Sequence, residues 1–154
     1  MKEKKLLTIV VPAYNMEKYI QRCLDSLVIK EIIDVLEVLV INDGSEDSTL
    51  KIAQEYGRKY PDCFKIVDKE NGNYGSAMNR GLQLSTGKYF RSLDADDWFD
   101  KEGIINFVKD LKQTDADIVV SSRFDFNENS QSSIKISLDA SLTFGKDEVI
   151  NHSI

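Results

Sequence analysis

Apolar residues in this chain alternate between short continuous runs and stripes at helical spacing. Residues 6–11 read Leu-Leu-Thr-Ile-Val-Val, largely apolar and β-branched. Continuity, rather than alternation, suits a strand covered on both faces of a parallel sheet. Pro12 is expected to end it. Asn15 is expected to cap the next helix, with Glu17 in its first turn and Ile20, Leu24, Leu27 and Val28 as its apolar stripe. Residues 35–41 repeat the buried-strand pattern and lead into Asn42-Asp43-Gly44-Ser45. Asp-Gly is compatible with a hairpin, but Leu50, Ala53 and Tyr56 at helical spacing predict strand, turn and helix. A third strand is expected over 64–67. A glycine-containing turn follows at 71–75, then a helix over 76–85 closed by Gly87. Residues 89–93 predict a fourth strand and 104–111 a further helix. Ile118-Val119-Val120 predicts a fifth strand over 117–121. Beyond it the pattern weakens: 127–133 reads as a polar loop, 134–138 as a strand and 146–150 as the start of a helix. Strands alternating with helices imply βαβ units, hence an α/β fold with a mainly parallel sheet flanked by helices and right-handed crossovers.

Composition narrows the function. At 154 residues, one domain over 1–154 is the default expectation. The net charge is −6 and no Lys/Arg cluster forms a face, which argues against nucleic acid as the main partner. A phosphorylated small ligand remains compatible, because a metal supplies the missing positive charge. Cys23 and Cys63 lie far apart without metal-ligand spacing and read as buried thiols in a reducing compartment. The first apolar run is too short for a membrane span and lacks a signal-peptide cleavage site. Cytoplasmic residence is expected, at the inner face of a membrane only through a longer chain. The single histidine, His152, reads as a solvated terminal residue.

The most informative stretch is 89–99, Tyr-Phe-Arg-Ser-Leu-Asp-Ala-Asp-Asp-Trp-Phe. A strand-like run ends in Asp94, Asp96 and Asp97, at the carboxyl end where open α/β sheets bind ligands. Acids this close repel and call for a cation, a raised pKa or generous solvation. An acid–x–acid pair suits a hard divalent ion that shares its shell with phosphates. The alternative is a solvated turn, with Asp97 or Asp100 capping the next helix. Trp98 beside it is a ring for stacking or a packing residue. The glycine fingerprints of dinucleotide and P-loop sites are absent. Other strand ends still converge: Pro12 to Asn15 with the Tyr14 ring, Asp43 as acceptor for a base imide or ribose hydroxyl, and Asn79 and Arg80 on the helix after the glycine turn. Gly75 and Gly81 read as residues that permit close helix packing.

These blocks resemble glycosyltransferase family 2, the inverting sugar transferases of GT-A (Rossmann-like) fold. The matching residues are Val10-Val11-Pro12-Ala13-Tyr14-Asn15, Val40-Ile41-Asn42-Asp43-Gly44-Ser45, the run from Asn71 to Gly81, and Leu93-Asp94-Ala95-Asp96-Asp97. The resemblance covers about residues 6–99. It implies a nucleotide-diphosphate sugar donor, most often a UDP-sugar, with Mn²⁺ or Mg²⁺, and a sugar, lipid-linked or glycan acceptor. By position, Pro12, Ala13, Tyr14 and Asn15 would contact the nucleoside and Asp43 the base. Asp94 and Ala95 would lie near the ribose, Asp94 also in the metal shell, and Asp96 on the metal. Asn79 and Arg80 would flank the donor pocket. A hexosyl transfer in cell-surface polysaccharide or glycolipid synthesis is the expectation that follows.

Two departures stand out. Inversion needs a general base for the acceptor hydroxyl. Asp115, Asp117 and Asp125 are the formal candidates, each reading better as a turn or strand-edge acid, so the base is expected beyond Ile154 and the chain as the donor-binding part of a longer enzyme. Arg91, inside a strand where the family prefers an apolar residue, is expected to pair with a carboxylate or reach the sheet's rim. Two rival readings are a non-catalytic nucleotide-sugar-binding module and a Mg²⁺-dependent signalling domain phosphorylated on Asp43.

Overall fold

A computed structural model describes residues 4–127 and 129–136. The helix expected at 146–150, the end of the strand expected at 134–138, and His152 lie outside the described residues. The chain forms two compact units, Met1–Trp98 and Phe99–Ile154.

The first unit is built on a parallel sheet of β1 (Leu7–Ala13), β2 (Leu36–Asp43), β3 (Phe64–Lys69) and β4 (Tyr89–Ser92), in the order β3-β2-β1-β4. Every residue of the central strands β1 and β2 is buried, in keeping with their largely apolar runs. Helices α1 (Ile20–Asp25), α2 (Thr49–Lys59) and α3 (Asn73–Leu84) connect the strands. Val10, Leu39 and Ile41 pack with Ala77 of α3, with Val67, Met78 and Leu84 around them. The strand register puts Val38 opposite Phe64 and Val40 opposite Ile66, on the other face. There Tyr56 of α2 stacks 5.6 Å from Phe64, and Gly57 lies against Ile66. The sheet is therefore sandwiched between α3 and α2, and α1 packs beside α2. A Cβ on Gly81 would fall 2.4 Å from Val10 Cγ1, so this glycine is what lets α3 sit close on β1. A Cβ on Gly75 would meet nothing, and the close-packing role expected of it does not hold.

Four local expectations are corrected. Pro12 does not end β1, which runs on to Ala13. The Leu93 N–H donates to the Val10 carbonyl, so Val10 and, by alternation, Pro12 face β4; but β4 has already ended, opposite Val10. The missing proline N–H therefore forfeits no ladder bond. The first helix is only six residues long, and Leu27 and Val28 lie in the tighter turns that follow it. Asn15 caps no helix: it has φ +52°, and α1 begins only at Ile20. Gly87 does not close α3, which ends at Leu84 with Ser85 extended as its cap.

The second unit holds α4 (Lys101–Leu111) and an antiparallel hairpin of β5 (Arg123–Asn127) and β6 (Ser132–Ile136). Asp100 caps α4 by accepting from the Gly103 amide at 2.8 Å. Ile104, Phe107, Val108 and Leu111 form its buried stripe. The strand expected over 117–121 is irregular chain, and Ile118 is 78% exposed. A β-branched run becomes a strand only where a neighbour pairs with it. Among the described residues, β5 and β6 pair from Arg123 opposite Ile136, and Asn127 Oδ1 accepts from the Asn129 and Ser130 amides where the chain turns back. Among the described residues no helix is long and apolar enough to cross a membrane.

At the amino end of the sheet a charge is buried. Glu37 on β2 is 1% exposed. Its carboxylate accepts from the Thr8 hydroxyl at 2.7 Å, the Thr86 amide at 2.8 Å, the Thr86 hydroxyl at 2.9 Å and Lys65 at 2.5 Å. Burial alone would raise this carboxyl, but Lys65, Thr86 and Thr8 outweigh it and hold it below its ordinary value.

Candidate functional site

Connections from β1 run outward through β2 to β3, then return past β1 to β4. The strand order therefore reverses between β1 and β4, the switch point beyond whose carboxyl ends open α/β sheets leave a crevice. A cavity of about 430 Å³ lies there. Pro12, Ala13 and Tyr14 line it from the end of β1, Met16 from the loop after it, and Asp43 from the end of β2. Asn71, Asn73, Tyr74 and Ala77 line it from the start of α3, and Asp94, Ala95 and Asp96 from beyond β4.

Past the end of β4, Leu93 and Ala95 are buried, while Asp94 and Asp96 are exposed and line the cavity. Tyr74 donates its hydroxyl to Asp94 Oδ1 at 3.1 Å. Burial and the Asp94 carboxylate push this phenol above its ordinary value, which keeps it a donor. The Asp97 amide donates to the Asp94 carbonyl at 3.0 Å, closing the turn.

Asp43 is of a different kind. It is 4% exposed, and its Oδ1 accepts from Lys69 at 2.5 Å and from the Gly72 amide at 3.0 Å. Burial would raise it, yet Lys69 and Gly72 prevail and hold it low and charged. A buried acceptor of fixed charge at the base of a cavity suits a donor N–H on a ligand.

The loops after β1 and β2 are laced together. Asn15 Oδ1 accepts from the Glu46 amide at 2.9 Å, and the Asn15 amide donates to Ser45 Oγ at 3.1 Å. Glu17 accepts from the Ser48 amide at 3.0 Å, and the Glu17 amide donates to Asp47 at 3.1 Å. Asn15 thus fixes the loop that carries Tyr14 and does not itself line the cavity.

Of the residues singled out from sequence, the fold gathers Pro12, Ala13, Tyr14, Asp43, Asp94, Ala95 and Asp96 around one cavity. Asn79 and Arg80 are exposed on α3 and lie outside its lining, because the helix turns Ala77 and Gly81 inward. Tyr74, Asn73 and Met16 were not singled out as ligands. The signal for Tyr74 was its place directly after the Asn-Gly-Asn turn, where a helix start meets the strand ends. Arg91 lies half-buried on the edge strand β4, at the sheet's rim, and burial lowers its guanidinium below the ordinary value. Trp98 carries the Arg22 guanidinium 3.8 Å over its ring. Cys23 and Cys63 are free and buried; burial, reinforced by Asp97, Asp96 and Asp94, pushes the Cys23 thiol up to about 12. Asp115, Asp117 and Asp125 are exposed acids of the second unit.

Among the described residues, no three His, Cys, Asp or Glu side chains gather into a full protein cage for a metal. Asp94 and Asp96 instead offer two carboxylates to one open cavity. That donor set fits a hard divalent ion completing its shell with water and phosphate oxygens.

Known proteins resemble this chain in sequence and fold. The family model described as Glycosyl transferase family 2 matches residues 8–151. Glycosyltransferase GlyA of Streptococcus pneumoniae serotype 4 is 32% identical over 123 residues, 80% of this chain and 17% of that protein. Chondroitin synthase of Escherichia coli is 38% identical over 104 residues, 68% of this chain and 15% of that protein. The structure of S. aureus TarS 1–349 in complex with UDP-GlcNAc matches with a TM-score of 0.67 at 28% identity, covering 77% of this chain and 34% of that one. Mannosyltransferase PcManGT from Pyrobaculum calidifontis, in complex with GDP-Man and Mn²⁺, matches with a TM-score of 0.64 at 28% identity, covering 79% and 35%. The chain spans between 15% and 35% of the length of these relatives. The helix-flanked, mainly parallel sheet is the GT-A architecture of these structures. Sheet, crevice and family match together show that the chain belongs to glycosyltransferase family 2.

Proposed function

We propose that this chain binds the donor of an inverting transfer of a sugar from a nucleoside diphosphate, a UDP-sugar first, to an acceptor hydroxyl. The observation that carries the reading is one cavity that joins Tyr14, the buried Asp43 and the exposed pair Asp94 and Asp96. Tyr14, 46% exposed, offers a face to a base. Asp43 accepts an imide N–H, which uracil has and adenine lacks. The acid pair would hold Mn²⁺ or Mg²⁺. Such an ion, when bound, supplies positive charge to the leaving diphosphate. Tyr74 would keep Asp94 oriented through its Oδ1, with the other oxygen available to a ligand. Asp43, Asp94 and Asp96 are the carboxylates that line the cavity among the described residues, and all of them would serve the donor; the acceptor's base is assigned to none of them. Polysaccharide or glycolipid synthesis is the proposed setting, in keeping with the chondroitin synthase likeness.

Thermal unfolding with UDP, GDP or acetyl phosphate, each with and without Mn²⁺, tests the reading. A ligand at about a hundred times its dissociation constant adds about 2.7 kcal/mol to stability. The expected result is a Mn²⁺-dependent rise with UDP that Asp96→Ala abolishes. A rise with acetyl phosphate alone would instead favour phosphorylation of Asp43.

A further inference from the structure

The acid loop is braced from outside the cavity. Asp94 and Asp96 follow a strand of only four residues, and the loop beyond it carries like charges that repel. Helix α1 meets this loop with consecutive residues. Arg22 Nη2 donates to the Asp96 carbonyl at 3.3 Å, and its guanidinium carbon lies over the Trp98 ring, 3.8 Å from the centroid. The Cys23 thiol donates to the Asp94 carbonyl at 3.7 Å. All these ties use main-chain carbonyls or the indole face. None of these ties uses the carboxylates that face the cavity, where, among the described residues, Asp94 accepts only from Tyr74.

From this geometry we infer that Arg22 is a positioning residue: clamped between the Asp96 carbonyl and the Trp98 ring, it holds the acid loop in the shape that accepts a divalent ion and a diphosphate. The inference rests on the donor-binding reading above. A guanidinium does both jobs at once, because it donates in its plane and stacks through its face. A lysine ammonium is a compact point charge and cannot do both. Charge alone gives the opposite expectation, since a cation beside the acids opposes a second cation, so removing it would tighten metal binding.

The test uses Trp98, the chain's single tryptophan, as its own probe. In the ligand-free protein, Arg22→Gln should lower Trp98 fluorescence anisotropy and shift its emission, with the unfolding temperature kept, because Arg22 is an exposed residue. Mn²⁺-dependent UDP binding should weaken roughly tenfold, the scale of a cation–π contact plus a hydrogen bond. Arg22→Lys should leave most of that loss in place. Trp98→Leu, followed by calorimetry, should reproduce it from the other side of the clamp. Unchanged Trp98 anisotropy, tighter Mn²⁺ binding in Arg22→Gln, or full rescue by lysine would each overturn the inference. Failure of the wild-type chain to bind UDP with Mn²⁺ would sink the underlying reading instead, and the ligand-free anisotropy would still report on the clamp.

Discussion

The two ends of the same sheet treat carboxylates in opposite ways. At the amino end Glu37 is buried and saturated by Thr8, Lys65 and Thr86. At the carboxyl end Asp94 and Asp96 are exposed to a cavity, and the loop carrying them is held by its backbone. The first arrangement satisfies a charge and fixes strand register, since Thr8 and Glu37 are direct partners across β1 and β2. The second keeps charge available. A buried acid with every lone pair occupied belongs to the framework, whereas exposed acids with oxygens to spare on a braced loop are suited to receive a ligand. Asp43 stands between the two: it is buried like Glu37, yet it lines the cavity.

That contrast breaks most visibly at Glu37. Glu37→Ala strands the Thr8 hydroxyl and the Thr86 amide, at about 1–3 kcal/mol each, so chemical unfolding should show a loss of roughly 2–5 kcal/mol. Asp94→Asn and Asp96→Asn should stay within about 0.5 kcal/mol of the parent. Comparable losses at both ends would erase the distinction.

A smaller effect appears with acid. Glu37 and Asp43 lie below their ordinary values of 4.5 and 3.8 in the folded chain. The unfolded chain therefore binds protons first as pH falls. The stability they contribute is full above those ordinary values and is lost as pH drops through the depressed folded ones. Urea unfolding of the parent should weaken steadily below about pH 4.5. Glu37→Gln should show a shallower decline, and an identical slope would remove Glu37 from the account.

The fold was legible where one physical demand shaped a whole run. Strands β1 and β2 are largely apolar because both faces are covered, and the acids stand just past the end of β4. Legibility failed where a partner decides the outcome. Ile118-Val119-Val120 has strand propensity but no neighbour pairs with 117–121 among the described residues. Asn15 resembles a helix cap, yet its amide and side chain serve the loop after β2. Glu37 sits in a strand with no local mark of what surrounds it. Asn79 and Arg80 belong to the motif by position, but the face of α3 that packs on the sheet is chosen by Ala77 and Gly81. The place of Tyr74 at a helix start was legible, but its bond to Asp94 was not.

The central claim is that the exposed acids beyond β4 hold a divalent ion against a nucleoside diphosphate. Electron paramagnetic resonance of Mn²⁺ addresses it directly, because the free-ion signal falls as the ion binds. Adding UDP to the parent chain with Mn²⁺ should remove more free signal than UDP does by itself, and Asp94→Asn and Asp96→Asn should each abolish the difference without loss of fold. An equal loss of signal in the parent and both variants would contradict the account.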